Sequence, residues 1–396
     1  MLLIKGGTVI LSGADSGRVM DILIKDGKVV EISGNISEIS RMTVIDATGF
    51  IVAPGLVDIH VHFREPGFEY KEDILSGAEA AAAGGVTTCC CMPNTSPVAD
   101  GKEITEYIVG RAGKAAVKVL PIGAVTFGQK GEKLTDINAL KMAGAVALSD
   151  DGLPIVSDDV MRKALLAGRV ADMLIVSHCE DEEPMVERDV RLAAETGTSV
   201  HIAHVSTAAS VDTIRKAKKA GVKVTAEACP HHFTLTEAMV TEKGTNAKMS
   251  PPLRTERDVQ AVVQGLCDGA IDAIVTDHAP HSVEEKALPY EKAPNGIIGL
   301  ETSLAVTLTY LYHSGKLGLS EIIDLMSTKP ANLFGLDAGK IRVGSNADIV
   351  IFDPNEEWTV DPSEFKSKSR NTPYTGMKLR GKVKYTMVNG DVVFES

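Results

Sequence analysis

Short apolar runs alternate with helix-length amphipathic stretches through the middle of the chain, the order that parallel strands with covering helices produce. Eight runs read as strands: Leu56 to His62, Thr87 to Met92, Val117 to Ile122, Ala145 to Ser149, Met173 to His178, Val200 to His204, Val222 to Glu227 and Ala270 to Thr276. The spacing predicts helices between them, such as Glu72 to Ala83, Thr207 to Ala220 and Glu256 to Cys267, and Gly84 and Gly221 stand where a helix end favours glycine. Both chain ends carry a different pattern, strands joined by tight turns. Leu2 to Ile4, Asp21 to Ile24, Val29 to Ile32 and Val44-Ile45 lie at one end; Ala347 to Phe352, Lys382 to Val388 and Val392 to Phe394 lie at the other. Asp26-Gly27 and Asn389-Gly390 mark hairpin turns, whose two central residues need positive φ. The expected architecture is α/β: a (β/α)8 barrel over residues 53–339, with a small β-sandwich domain assembled from residues 1–52 and 340–396.

One barrel plus one small module accommodates 396 residues. With 44% hydrophobic and 24% charged residues, the composition is that of a globular protein with a large core, which argues against disordered and membrane classes. A net charge of −12 argues against a nucleic-acid surface, because neutralising phosphates takes clustered Lys and Arg. Met1 to Ile4 is too brief an apolar stretch for a signal-peptide core or a membrane span, so the expected location is the cytoplasm. Cysteines 89, 90 and 91 adjoin one another within a strand, and 179, 229 and 267 are scattered; this spacing suits reduced thiols packed as small apolar residues better than a disulfide framework or a zinc knuckle.

Such barrels place chemistry at the C-terminal ends of their strands, and the polar residues there are chemically coherent. His60 and His62 end the first strand, two residues apart and so on one face. A lone strand-end histidine is most often a satisfied polar residue, but a converging pair at a barrel mouth suits a metal. His178, His204 and Asp277 each end a different strand. Imidazoles and carboxylates of this kind suit zinc, with manganese, cobalt and iron also open. Five such residues exceed one tetrahedral shell, so two metals sharing an anionic bridge are expected. Residues 143–159 hold no lysine that might bridge as a carbamate, and Lys141 precedes the strand; the bridge is therefore expected from Asp150 or Asp151, between which alternation does not decide. His201, three residues before His204, points to the opposite face and reads as packing. His231 and His232 either line the site or support it, and His313 looks like a helix end without chemistry. Arg64 stands on the same side as His60 and His62 and offers a fork for a carboxylate, with Asn94 and His281 on the same rim; each alone is more often a loop-capping polar group.

The strings His60-Val61-His62-Phe63-Arg64-Glu65-Pro66-Gly67, Met92-Pro93-Asn94-Thr95, Ser149-Asp150-Asp151-Gly152, His178-Cys179-Glu180-Asp181 and Thr276-Asp277-His278-Ala279-Pro280-His281 together resemble the bacterial and archaeal class I dihydroorotases of the amidohydrolase superfamily. The resemblance covers nearly the whole chain. It implies one zinc on His60, His62 and Asp277 and another on His178 and His204, bridged by Asp151. It further implies that His62, Arg64, Asn94, His281 and the backbone at Asn295 and Gly296 meet the substrate. Ser250 stands where the family commonly has asparagine, a shorter group with fewer donors. Only Glu182, Glu183 and Pro184 separate the His178 motif from the next helix, where the family carries a sizeable segment, so part of the site's rim or of a subunit contact is expected to be missing.

The activity so implied is the reversible interconversion of dihydroorotate and N-carbamoyl-aspartate in pyrimidine biosynthesis, with a hydroxide bridging two zincs as nucleophile and Asp277 as acid and base. A homodimer and an association with aspartate transcarbamoylase come with the same resemblance. Two other readings compete: a hydantoinase, dihydropyrimidinase or allantoinase, against which the lysine-free fourth strand argues, and a non-catalytic partner of aspartate transcarbamoylase, against which the complete ligand set argues.

Overall fold

A computed structural model describes residues 1–11, 17–38 and 42–396. Five strands open the chain, β1 (Leu2–Val9), β2 (Arg18–Lys25), β3 (Lys28–Ser33), β4 (Thr43–Asp46) and β5 (Ile51–Pro54). Each of the eight expected interior runs overlaps a strand, β7 and β12 each reaching one residue beyond theirs: β6 (Leu56–Val61), β7 (Val86–Cys91), β8 (Lys118–Pro121), β9 (Leu148–Ser149), β10 (Ile175–Ser177), β11 (Val200–Ile202), β12 (Val224–Ala228) and β13 (Ala273–Ile274). Several are shorter than the runs that announced them, because apolarity reports burial whereas a strand is defined by pairing. Val146 and Ala147 lie outside β9, for example, yet still bond across to Pro121 and Gly123. β6 to β8 form one parallel sheet and β9 to β13 a second. Parallel bridges between Gly123 and Leu148 and between Val61 and His278 connect the two.

Helices fill the intervals as the amphipathic spacing requires, and side chains cap their open N–H groups. Asp73 caps Ile74–Ala83, Thr207 caps Ala208–Lys219, and Thr255 caps Glu256–Asp268. The expected glycine at the first helix end works differently from a left-handed cap: Gly84 has φ −84°, and Gly85 makes the turn at φ +84°. Gly84 is required by proximity, since a Cβ there would lie 2.1 Å from the Leu300 carbonyl oxygen.

The chain closes with β14 (Ile349–Thr359), β15 (Lys378–Val388) and β16 (Asp391–Glu395). These join the first five strands in one mixed sheet of order β16-β15-β14-β5-β1-β2-β3, with β4 on β1. The strands thus come from both ends, as expected, but their pairing is one continuous path and not two separate sheets. Register shifts in the β14–β15 pair bend these long strands. Ile349 pairs with Pro54, which carries the terminal sheet two residues past the expected boundary at 52. Asp26-Gly27 (φ 51° and 75°) and Asn389-Gly390 (φ 50° and 79°) adopt the left-handed conformations that their hairpins demand. Ile4, Ile22, Ile24, Ile349, Ile351 and Met387 give this sheet a hydrophobic cluster of its own. All six cysteines are free thiols, with only Cys267 exposed, and no helix among the described residues is long and apolar enough to cross a membrane.

Candidate metal centre and substrate cavity

Side chains from the ends of three parallel strands, β6, β10 and β11, converge on one carboxylate at the end of a fourth, β9. Asp151 Oδ1 lies 3.3 Å from His60 Nε2, 3.3 Å from His178 Nδ1 and 3.5 Å from His204 Nε2, while its Oδ2 lies 3.4 Å from His62 Nε2. Asp277 Oδ1 completes a second group, 3.0 Å from His62 Nε2 and 3.6 Å from His60 Nε2. All six side chains are buried. The backbone is distorted to achieve this: His204 and Asp277 have φ of 34° and 48°, and Arg64 on the rim has φ of 61°, conformations that non-glycine residues adopt at a cost.

Asp150 and Asp151 part here. Asp150 is consumed by the neighbouring loop, accepting from Val125 N at 2.8 Å, Thr126 N at 3.0 Å and the Thr126 hydroxyl. Asp151 alone faces the histidines. Burial by itself would raise the pKa of Asp151 and of Asp277, but the surrounding histidines hold both carboxyls well below the usual range. Burial would likewise lower the His60 pKa, yet Asp151 and Glu227 push it well above its ordinary value. Such a pocket favours positive charge. Two ligand atoms on a tetrahedral zinc with arms of 2.0–2.1 Å sit roughly 3.3 Å apart, which matches the spacings above. His60 Nε2 and Asp151 Oδ1 are moreover buried without a hydrogen-bond partner. Two groups in this set bring their ligand atoms close enough to hold a metal ion, His60 with His62 and Asp277, and His60 with Asp151 and His204.

Residues behind this set orient it, and reading the strand ends alone misses them. Glu227, fully buried, accepts from His60 Nδ1 at 2.6 Å, which aims His60 Nε2 at the centre. Its other oxygen is 3.1 Å from His201 Nε2, and His201 Nδ1 is 2.8 Å from Thr225 Oγ1. His201 is therefore a hydrogen-bonded member of a buried chain and not mere packing. Asp58 braces β6 against β13 by accepting from His60 N and Thr276 N, and burial lifts its pKa to about 7. His231 and His232 are buried beside the centre and outside the cavity lining, grouped with Cys229; His232 Nε2 is bonded to Pro251 O at 2.9 Å. His313 Nε2 is bonded to Pro354 O, far from this chemistry in its contacts.

A cavity of about 420 Å³ opens over the centre, lined in part by Arg64, Asn94, Ser250, His281, Asn295 and Gly296. Arg64 Nε donates to Pro280 O at 3.2 Å, and among the described residues the guanidinium makes no ion pair. His281 is kept neutral: burial and then the Arg64 charge lower its pKa to about 3, and its Nε2 meets Asn295 O at 2.8 Å. Asn94 Oδ1 accepts from His62 Nδ1 at 2.8 Å, so this residue orients a histidine as well as lining the cavity. Gly296 N and O are both engaged within the protein, to Lys248 O and from Lys286 and Asn371. The link after β10 is shorter than expected, because Glu182, Glu183 and Pro184 already form the first turn of a helix (Glu182–Thr196) and do not separate it from the His178 motif; the buried Glu182 carboxylate accepts from Ser206 and Thr207, just beyond His204.

Residues 51–393 match the amidohydrolase family. A dihydroorotase of Acetivibrio thermocellus is 48% identical over 420 aligned positions, covering 99% of this chain and 98% of its own. A dihydroorotase of Thermoanaerobacter sp. is 48% identical over 422 positions, covering 100% and 97%. These alignments are longer than the chain, so the relatives carry residues that it lacks. Among solved structures, the L-hydantoinase of Arthrobacter aurescens superposes with a TM-score of 0.91 at 29% identity, over 100% of this chain and 96% of that one.

Proposed function

We propose that this chain, which belongs to the amidohydrolase family, is a dihydroorotase interconverting N-carbamoyl-L-aspartate and L-dihydroorotate. The observation that carries this over the hydantoinase reading is Arg64: a guanidinium on the cavity wall with no carboxylate partner among the described residues is an anion site, and dihydroorotate has a carboxylate where hydantoin and dihydrouracil have none. No lysine lines the cavity among the described residues, which sets it apart from a carbamate-bridged centre.

Zinc ions held by His60, His62, Asp151, His178, His204 and Asp277 would supply Lewis acidity at the ring carbonyl and a water whose pKa falls from 15.7 toward about 7. Arg64 grips the substrate carboxylate, and neutral His281 beside it adds a polar contact without a competing charge. Asp277, ionised on the substrate side, takes the proton of the attacking water and delivers it to the leaving ring nitrogen; in the synthetic direction it runs the transfer backwards. Burial of the centre excludes bulk water and strengthens each of these contacts.

The architecture we assign to this chemistry is a (β/α)8 barrel over residues 55–339 with its C-terminal rim at the site, and a terminal β domain from residues 1–54 and 340–396, which moves the expected boundary from 52 to the end of β5. The two parallel bridges at the junctions of the parallel sheets support closure of the barrel. The test is the purified protein analysed for metal and offered dihydroorotate, hydantoin, dihydrouracil and allantoin, with the apo-protein reconstituted in the presence and absence of bicarbonate. Two zincs per chain, turnover of dihydroorotate and indifference to bicarbonate are expected. Preference for an uncharged ring, or a bicarbonate requirement, would overturn the assignment.

A further inference from the structure

Asn371 lies in the long connection between β14 and β15, outside every strand end that carries the site, yet it is only 3% exposed. Its Nδ2 donates to Ala279 O at 3.1 Å and to Gly296 O at 3.0 Å, and its Oδ1 accepts from His281 N at 3.2 Å. Its backbone carbonyl accepts from Ile298 N at 2.9 Å. These partners fix the orientation of the amide, since two carbonyls demand the NH2 group and one N–H demands the oxygen. One buried side chain thereby locks residues 279–281 to Gly296, and the Asn371 backbone carbonyl adds Ile298. The residues before it tie the same connection to the loop that follows Arg64: Ser367 donates to Glu72, Lys368 pairs with Asp73, and Ser369 Oγ donates to Lys71 O at 2.8 Å.

His281 and Gly296 sit in loops beyond β13, which the His278–Ile297 bridge and the bond from Ala279 N to Ile297 O at 2.8 Å hold together at one point, and loops with few such ties sample many arrangements. We infer that Asn371 is a positioning residue for the carboxylate end of the substrate: it sets His281 and the Asn295–Gly296 backbone opposite Arg64. The terminal segment thus takes part in recognising a small anionic ring, while the metal-facing groups come from the strand ends alone. This rests on the assignment of Arg64 and His281 to a substrate carboxylate.

The experiment compares full-length wild type with Asn371→Ala and Asn371→Asp, all metal-loaded. The aspartate keeps the size and one acceptor but turns an oxygen toward the carbonyls of Ala279 and Gly296. Losing buried hydrogen bonds of this kind should raise KM for dihydroorotate about tenfold. The value of kcat should change less than about threefold and zinc per chain not at all. Hydrogen exchange should accelerate in peptides spanning 277–298, most at the His281 amide of the alanine variant. Unchanged KM together with unchanged exchange would refute the role, as would a joint loss of zinc and kcat at constant KM, which marks a purely structural residue. If Asn371→Ala does not fold, the aspartate variant decides by the same readouts. The exchange measurement needs no turnover, so it judges Asn371 even where wild type ignores dihydroorotate, an outcome that would instead defeat the reaction assigned above.

Discussion

Replacing Glu227 with Gln removes one charge from behind the metal centre while sparing its shape. The wild-type carboxylate is fully buried, 2.6 Å from His60 Nδ1 and 3.1 Å from His201 Nε2. Burial alone would raise its pKa, but His60 and His201 hold it at about 2, so it is ionised under any working condition. The amide oxygen of Gln can still accept from His60 Nδ1. Its NH2 can donate to His201 Nε2 once the His201 proton sits on Nδ1, where Thr225 Oγ1 stands at 2.8 Å. Hydrogen-bond count therefore survives and only the charge is lost. A hydrogen bond to a charged partner is worth about 1.5–3 kcal/mol against about 1 for a neutral one, a difference of about 0.5–2 kcal/mol at His60. That converts to roughly a tenfold weaker zinc affinity, at the low end of the 10–100-fold range typical of partners behind metal ligands. Competition with a chelator of known affinity measures it directly. Glu227→Leu should behave differently, because it leaves two buried histidine nitrogens unpaired at about 1–3 kcal/mol each and so lowers the stability of the apo-protein. Wild-type zinc affinity in Glu227→Gln, or an undiminished denaturation midpoint in Glu227→Leu, would refute the reasoning.

Three further outcomes are expected. Arg64→Lys should raise KM for dihydroorotate at least tenfold with metal content unchanged, since an ammonium cannot match both oxygens of a carboxylate; unaltered steady-state kinetics would remove Arg64 from the substrate site. Asp277→Asn should abolish turnover in both directions, and substantial residual activity in a coupled assay would require another acid-base group. Glu301, whose carboxylate accepts from Lys366 N and Ser367 N, has its pKa lifted by burial from 4.5 to about 7. A raised carboxyl pKa means that the folded state holds the proton more tightly, so its contribution to stability is complete below about pH 4.5 and lost as the pH rises through about 7. Glu301→Gln should lack this decline, which amounts to at most about 3 kcal/mol; urea titrations in which wild type and variant stay parallel from acid to neutral pH would disprove it.

Much of the fold was legible because burial on both faces leaves parallel strands as apolar runs, and because the intervening helices alternate at a helical period. Strand ends were legible for the same reason, which is why His60, His62, His178, His204 and Asp277 could be picked out before any geometry was known. Two things were not. Alternation places Asp150 and Asp151 on opposite sides without saying which side is the centre; that depends on the N–H groups of Val125 and Thr126, some 25 residues earlier, which claim Asp150. Asn371 is worse hidden, since an asparagine in a polar stretch far along the chain has no local feature that separates a loop cap from a brace between two distant loops.

Glu227 occupies a middle ground, and shows where pattern reading can be extended. Val-Thr-Ala-Glu-Ala reads as a buried strand, and a carboxylate inside such a run cannot stay there unpaired. The adjacent strand, Val-His-Ile, is equally apolar around its own buried polar residue, His201. In the observed register His201 stands opposite Thr225, and Glu227 lies two residues further along the same face. A buried acid and a buried imidazole on neighbouring strands at that offset are each other's natural partner. The carboxylate's second oxygen must then be satisfied from across the interior, and His60 supplies that donor while its other nitrogen is turned toward the candidate metal centre. The demand that every buried polar atom be paired thus leads from one glutamate in an apolar strand to the histidine it serves, and from that histidine to the metal centre.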